Sequence, residues 1–273
     1  MTLLQSILLG IIQGLTEFLP ISSSGHLVIV PYLLGWQIPE KDAFIFDVLV
    51  QVATLLAVLA YFWNDVVAIL RALVLALLNR RPFDDPMARL GWYLALATLP
   101  AGAIGFALKD VVERAFASPA AAGFFLMVTA GLLLVAERVG KRKHHLEDIT
   151  WKDALWIGFA QALSIFPGVS RSGATITGGM TRDLERPSAA RFAFLMSIPI
   201  MLAAGLLATL ELLSIPDFLT LLPTFIPGLF AAAVVGYLSI RWLLAYLTSR
   251  PLYLFTAYCA ALGLLVLGTS LIR

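Results

Sequence analysis

Glu17 lies four residues after Gln13 in QGLTEFL, and the chain continues PISSSGH through residues 20–26. Gln13 and Glu17 therefore share one helix face, and three serines, a glycine and His26 follow at once. A second polar group, PGVSRSG (167–173), sets Arg171 between Ser170 and Ser172, with Thr175 one turn on. Ser and Gly at a helix start present unpaired N–H groups and the positive end of the dipole, which favour an anion. A guanidinium beside them needs a carboxylate or a phosphate, and its planar fork suits either. One carboxylate, one imidazole, one guanidinium, several hydroxyls and two helix N-termini make a set that suits a phosphoryl group. Arg171 and backbone amides would hold its oxygens, and Glu17 with a hard divalent cation would neutralise the rest. His26 would serve as general base or nucleophile. Two plainer readings compete: Glu17 at a helix end near an interface, and a buried Glu17–Arg171 bridge that is purely structural. No GxxxxGK[ST] is present, so a nucleotide is not expected.

These groups sit in a chain that is 60% hydrophobic and only 13% charged, against about half and one quarter in a soluble domain. Runs such as 48–63 and 252–272 reach or approach the roughly 20 apolar residues that cross hydrocarbon. The fold class expected is an all-α polytopic membrane protein, one integral-membrane unit over residues 1–273. Six segments read as full spans: about 44–63, 90–108, 119–138, 188–213, 222–246 and 252–272. The net charge of +2 and the lack of a basic patch interleaved with aromatics give no reason to expect nucleic acid as a partner. GKRKHH (140–145) reads as a cytoplasmic loop rather than a metal site, because His144 and His145 lack Cys or His partners at ligand spacing. Cys259 is the only cysteine, which excludes an intrachain disulfide. Residues 2–19 carry no basic leader and no small-residue cleavage site, so they do not read as a signal peptide.

The two polar groups interrupt segments too short to cross. A helix of about 15 residues is about 22 Å long, short of the roughly 30 Å core. The layout at 3–19, PISSSGH and 26–35 recurs at 152–166, PGVSRSG and 174–180. QGLTEFLPISSSG (13–25) aligns without gaps on QALSIFPGVSRSG (161–173), and the same offset pairs Gly10 with Gly158 and FIFDVLV (44–50) with FAFLMSI (192–198). An internal repeat follows, about 1–148 and 149–273, each copy holding one re-entrant helical hairpin and three transmembrane helices. Hairpins do not change sides and three spans do, so the second copy is inverted. On that reading loops 64–89, 138–152, 182–191 and 247–251 share one side and collect most of the basic residues, among them Arg80, Arg89, Lys143, Arg186 and Arg250. The other side holds Lys41, Lys109, Arg114 and Arg273, an asymmetry that makes the richer side cytoplasmic. The two polar breaks are then expected to meet near mid-membrane.

QGLTEFLPISSSGH resembles (E/Q)xxxE followed by FLPxSSxGH, and PGVSRSGAT (167–175) resembles PGxSRSxxT, the two motifs of the bacterial undecaprenyl-pyrophosphate phosphatases, also called bacitracin-resistance proteins. The resemblance covers nearly the whole chain. It implies hydrolysis of undecaprenyl pyrophosphate to the monophosphate and inorganic phosphate, which recycles the lipid carrier of cell-wall synthesis. It also implies dependence on Mg²⁺ or Ca²⁺, and a site in the cytoplasmic (inner) membrane that opens to its periplasmic or outer face. Carried over by motif, Glu17 binds the metal or assists the base, and His26 is nucleophile or base with Ser23 as its rival. Arg171 clamps the pyrophosphate, with Gln13, Ser22, Ser170, Ser172 and Thr175 as further substrate-binding groups. Gln13 stands where the pattern also admits Glu, and would be a weaker, neutral ligand. Asp47 and Gln51, near the start of the first full span, either line the same cavity or serve helix packing, and they stay outside the expected site.

A transporter or lipid flippase is the rival class, because inverted repeats with broken helices are common there. At aligned positions Glu17 faces Ile165 and Arg171 faces Ser23, so each copy supplies a different charge. A catalytic site needs that asymmetry and a symmetric gate does not. The partners expected are a polyprenyl pyrophosphate and the lipid bilayer. Apolar surface faces lipid as readily as a second copy, so a homodimer stays open.

Overall fold

The computed structural model describes residues 1–116, 118–212, 215 and 218–272, and within them every regular element is helical, apart from one isolated bridge between His144 and Leu184. Arg273, counted above on the outer side, lies outside the described residues. Helix α1 (Leu3–Phe18) begins at Thr2, which forms a reciprocal cap with Gln5. Residues 19–22 are not helical, and α2 (Ser23–Leu34) ends on Gly35 at φ 65, a left-handed turn that glycine adopts without strain. Then follow α3 (Glu40–Tyr61), α4 (Trp63–Leu78), α5 (Pro86–Ala107), α6 (Lys109–Phe116) and α7 (Pro119–Val139). The remainder is α8 (Trp151–Ala162), α9 (Arg171–Thr181), α10 (Arg186–Leu212), α11 (Leu222–Leu247) and α12 (Tyr253–Ile272). A short 3₁₀ turn, Leu163–Ile165, follows α8.

Six stretches are long and apolar enough to cross a membrane: Glu40–Tyr61, Pro86–Ala107, Pro119–Val139, Arg186–Leu210, Phe218–Leu247 and Tyr253–Ile272. They coincide with the six expected spans. The first two start four residues before the expected 44 and 90, for reasons that hydropathy misses. Glu40 and Asp42 in the first turn of α3 suit the positive end of its dipole. Pro86 opens α5, while the Asp85 carboxylate accepts the amides of Met87 (2.8 Å) and Ala88 (3.0 Å). The expected loop 64–89 is corrected: its first part is α4, which packs against the start of α5 through Ile69 and Leu73 near Gly91. Trp63, Val67, Leu70, Val74 and Leu77 recur at helical spacing and remain exposed along its outer face.

Two sets of polar contacts mark the two ends of the bundle. At one end the N-terminal ammonium pairs with Asp42, so α1 starts beside the start of α3, and α2 returns to that end. At the other end the amides of Lys143 and His144 donate to the Asp183 carbonyl (2.8 and 3.0 Å), and Arg182 holds Asp153 at 2.6 Å. The start of α8, the end of α9 and the start of α10 therefore lie together. Glu137 is buried there against Arg186 (2.5 Å), Arg142 (2.7 Å) and the Leu252 amide (2.8 Å), joining α7, α10 and α12. A buried carboxylate survives only with such partners.

Close crossings set the short helices in place. A Cβ at Gly10 would collide with the Gly228 carbonyl, where α1 lies along α11, and one at Gly158 with the Ala97 carbonyl, where α8 lies along α5. The buried side of α10, from Phe192 to Met196, packs on Phe18, whose ring meets that of Phe194 edge-on at 5.6 Å. The outward face carries large apolar side chains such as Leu99, Phe106, Leu206 and Phe230. Lipid accommodates those, and water would not.

Candidate active site

The two interruptions lie against each other. Ser22 caps α2 by accepting the Gly25 amide (3.3 Å), and its Oγ also accepts the Gly168 amide (3.2 Å) from the second interruption. Ser170 caps α9 in the same way, accepting the Gly173 amide at 3.0 Å, while Ser172 Oγ donates back to the Leu19 carbonyl at 3.0 Å. Gly168 sits at φ 100 and a Cβ there would collide with the Ala122 carbonyl, so a side chain would be both strained and crowded. Thr129 of α7 braces this turn, donating to the Gly168 carbonyl (2.8 Å) and accepting the Ser170 amide (3.0 Å).

Glu17, buried on the last turn of α1, is the hub of the site. Its carboxylate accepts from the Arg171 guanidinium, from Gln13 Nε2 at 2.9 Å and from Ser23 Oγ at 2.5 Å. Arg171 is at the first position of α9, three-quarters buried, and reaches Glu17 across the junction of the two interruptions. A cavity of about 250 Å³ opens beside this cluster. Gln13, Glu17, Ser22, Ser23, Ser170 and Arg171 all line it.

His26, Ser172 and Thr175 do not line it. His26 Nδ1 is 2.7 Å from the Ser22 carbonyl, which can only accept, so Nδ1 carries the proton. In the neutral ring Nε2 is then an acceptor, and the Tyr258 hydroxyl fills it at 2.7 Å. Thr175 Oγ1 donates to the Arg171 carbonyl at 2.8 Å, one turn back along α9. Asp47 and Gln51 of α3 do line the cavity, as do Ser24, Gln161 and Ser164. Gln161 aligns with Gln13 in the expected repeat, and that alignment was the available signal for it. Asp47 and Gln51, four apart, share a helix face.

The donor set suits a hard cation. Glu17 and Asp47 offer carboxylates, and Gln13 Oε1 and the Gln161 amide are buried with no hydrogen-bond partner among the described residues. No group of three or more His, Cys, Asp or Glu that could hold a metal occurs among the described residues. Mg²⁺ does not need one, because it is commonly held by one or two carboxylates and completed by water and substrate phosphate. The residues present fit such an ion.

The model of the bacitracin resistance protein BacA family matches residues 6–265. The undecaprenyl-diphosphatase of Desulforudis audaxviator is 42% identical over 269 residues, covering 98% of both chains. That of Thermomicrobium roseum is 43% identical over 279 residues, again covering 98% of each. The undecaprenyl-diphosphatase of Myxococcus xanthus is 41% identical, covering 98% of this chain and 89% of the relative.

Proposed function

The chain belongs to the bacitracin resistance protein BacA family and is an undecaprenyl-diphosphatase, and from that premise we propose that Ser23 is its nucleophile and Glu17 the base. The observation that carries the assignment is the 2.5 Å hydrogen bond from Ser23 Oγ to Glu17 on the cavity wall. His26, with both ring nitrogens engaged and outside the lining, is a positioning residue on this reading. Ser23 Oγ attacks the terminal phosphorus, the bond from that phosphorus to the bridging oxygen breaks, and the lipid monophosphate leaves. Glu17 takes the Ser23 proton and releases it to water. A water then attacks the phosphoserine, giving one proton to Glu17, which returns it to Ser23 Oγ as inorganic phosphate departs. Arg171 has five N–H donors, enough to hold Glu17 and phosphate oxygens together. The free amides at the starts of α2 and α9 face the same anion. A divalent cation, when bound by Glu17, Asp47 and the amide oxygens of Gln13 and Gln161, would offset phosphate charge.

On the same reading the short helix pairs are re-entrant hairpins and the two halves an inverted repeat. In support, Ser22–Gly25 and Ser170–Gly173 are equivalent caps, and Gly10 on α11 matches Gly158 on α5. α1 and α2 begin and end at one end of the bundle, and α8 and α9 at the other. The excess of basic residues at the opposite end supports an outer face at the Asp42 end. The test is phosphate release from a polyprenyl diphosphate by purified protein, with and without EDTA. Glu17→Gln should slow release by roughly 10²–10⁴-fold, the usual worth of a positioned base. Ser23→Ala should leave below about 1% of the parent rate. Parent-like turnover in Ser23→Ala would pass the attack to water.

A further inference from the structure

A second, larger cavity of about 880 Å³ lies at the other end of the bundle, and nothing in the hydrolytic site uses it. It is built on the same three long helices. Tyr61 of α3 lies ten residues beyond Gln51 of the first cavity, about 15 Å along the helix axis. On α5 the second cavity uses Arg89 and Tyr93 where the first uses Ala101, and on α10 it uses Arg191 where the first uses Ile200. The two cavities are therefore stacked along one set of helices.

The lining of the second cavity is sorted by chemistry. Arg89, Arg191 and Arg241 come from three different helices. Arg191 is held to Asp65 at 2.6 Å, while Arg89 and Arg241 have no ion-pair partner among the described residues. The hydroxyls of Tyr61 and Tyr93 are likewise without a hydrogen bond among the described residues. Two carboxylates share the rim, Glu147 and Asp148, and Asp148 already accepts the His145 amide at 2.8 Å. Leu90, Ile149 and Leu244 supply apolar wall between these groups. Two free guanidinium forks and two free phenols match the oxygens of a phosphate. Apolar wall beside them, at the end of membrane-length helices, matches a hydrocarbon chain rather than a free ion.

We propose that this cavity is a second binding site for an isoprenoid monophosphate, the chemical class of the reaction product, on the membrane face opposite to the hydrolytic cavity. The choice of isoprenoid rests on the function proposed above, and the phosphate recognition rests on Arg89 and Arg241. A chain released from the first cavity would then be recognised at the far end of the same helices.

The test uses the full chain in phosphatidylcholine nanodiscs and a photoreactive farnesyl monophosphate, with labelled peptides located by mass spectrometry. Label is expected on the segments around Leu90 and Leu244, and it should persist in Glu17→Gln, in which turnover is slowed. Arg89→Gln/Arg241→Gln should lower labelling there by about tenfold or more, as loss of charge-assisted hydrogen bonds implies. Competition on the parent protein needs no variant. Displacement by unlabelled farnesyl monophosphate alone supports the proposal. Equal displacement by inorganic phosphate would assign the site to the free ion and overturn it. So would displacement by phosphatidylglycerol vesicles, which would make it a general anionic-lipid surface. Hydrolysis without label at this cavity rejects the second site alone, whereas label without hydrolysis rejects the catalytic assignment alone.

Discussion

Ser22 is held at φ 69, a backbone angle that residues with a side chain seldom adopt. Such a conformation persists only when its surroundings over-determine it, and here three contacts do so. Ser22 Oγ accepts amides from Gly25 and Gly168, and its carbonyl accepts from His26 Nδ1. That geometry aims the next side chain, Ser23, at Glu17. On the proposed assignment the His26 ring holds this backbone and takes no chemical step. Residue type and motif admit His26 as nucleophile or base, and no sequence pattern reports which way an imidazole faces or that Tyr258, far along the chain, closes its second nitrogen. His26→Ala removes both ring hydrogen bonds, of which the buried one to Ser22 is worth about 1–3 kcal/mol, and should slow turnover on the order of ten- to hundredfold. Tyr258→Phe leaves the Nδ1 bond intact and should slow it by less than about tenfold. Added imidazole is expected to rescue neither variant. Rescue of His26→Ala would show that the ring itself takes part in the chemistry.

Helices carry this arrangement through close crossings rather than through hydrophobic burial, since lipid on the outside is as apolar as the core. The crossings of α1 on α11 and of α8 on α5 depend on Gly10 and Gly158, and each positions the helix that ends at one interruption. Gly10→Ala and Gly158→Ala would press a methyl group on a backbone carbonyl, which cannot move aside as a side chain can. Overpacking of this kind costs roughly 1–3 kcal/mol, and each kcal/mol lowers the melting temperature by about 2–4 °C in a chain of this size. Gly102→Ala is the control, because nothing lies within 4 Å of the added atom, and alanine is the better helix former. Equal melting temperatures for all three variants would remove the argument. The alignment of Gly10 with Gly158 was legible in the sequence; the carbonyls they meet were not, because neighbouring helices are joined by packing and not by sequence distance. α4 shows the opposite case. Its apolar stripe at 63, 67, 70, 74 and 77 has helical spacing, but 16 residues with Arg71 inside are too few to cross.

For the whole molecule, length and apolarity located six long helices, and the alignment of QGLTEFLPISSSG on QALSIFPGVSRSG pointed two distant polar segments to one place before any contact was known. What the repeat could not supply was the inner surface of α3, where Asp47 and Gln51 join the cavity, because two polar residues in an apolar span read equally well as packing groups. The same topology makes a firm demand on sidedness. Lys41 lies at the bundle end where Met1 meets Asp42, and Lys143 at the end where the loop after α7 meets Asp183. Cys259 is the only native thiol and is fully buried, so Cys259→Ala gives a silent background for labelling. In that background Lys41→Cys should react with a membrane-impermeant maleimide on intact cells stripped of outer layers, and Lys143→Cys only after permeabilisation. The basic excess of the second end requires that order. On the proposed orientation the hydrolytic cavity then faces outside and the arginine-lined cavity inside. Labelling of both positions from one side would break the inverted arrangement, and reversal of the two would turn the hydrolytic cavity to the cytoplasm.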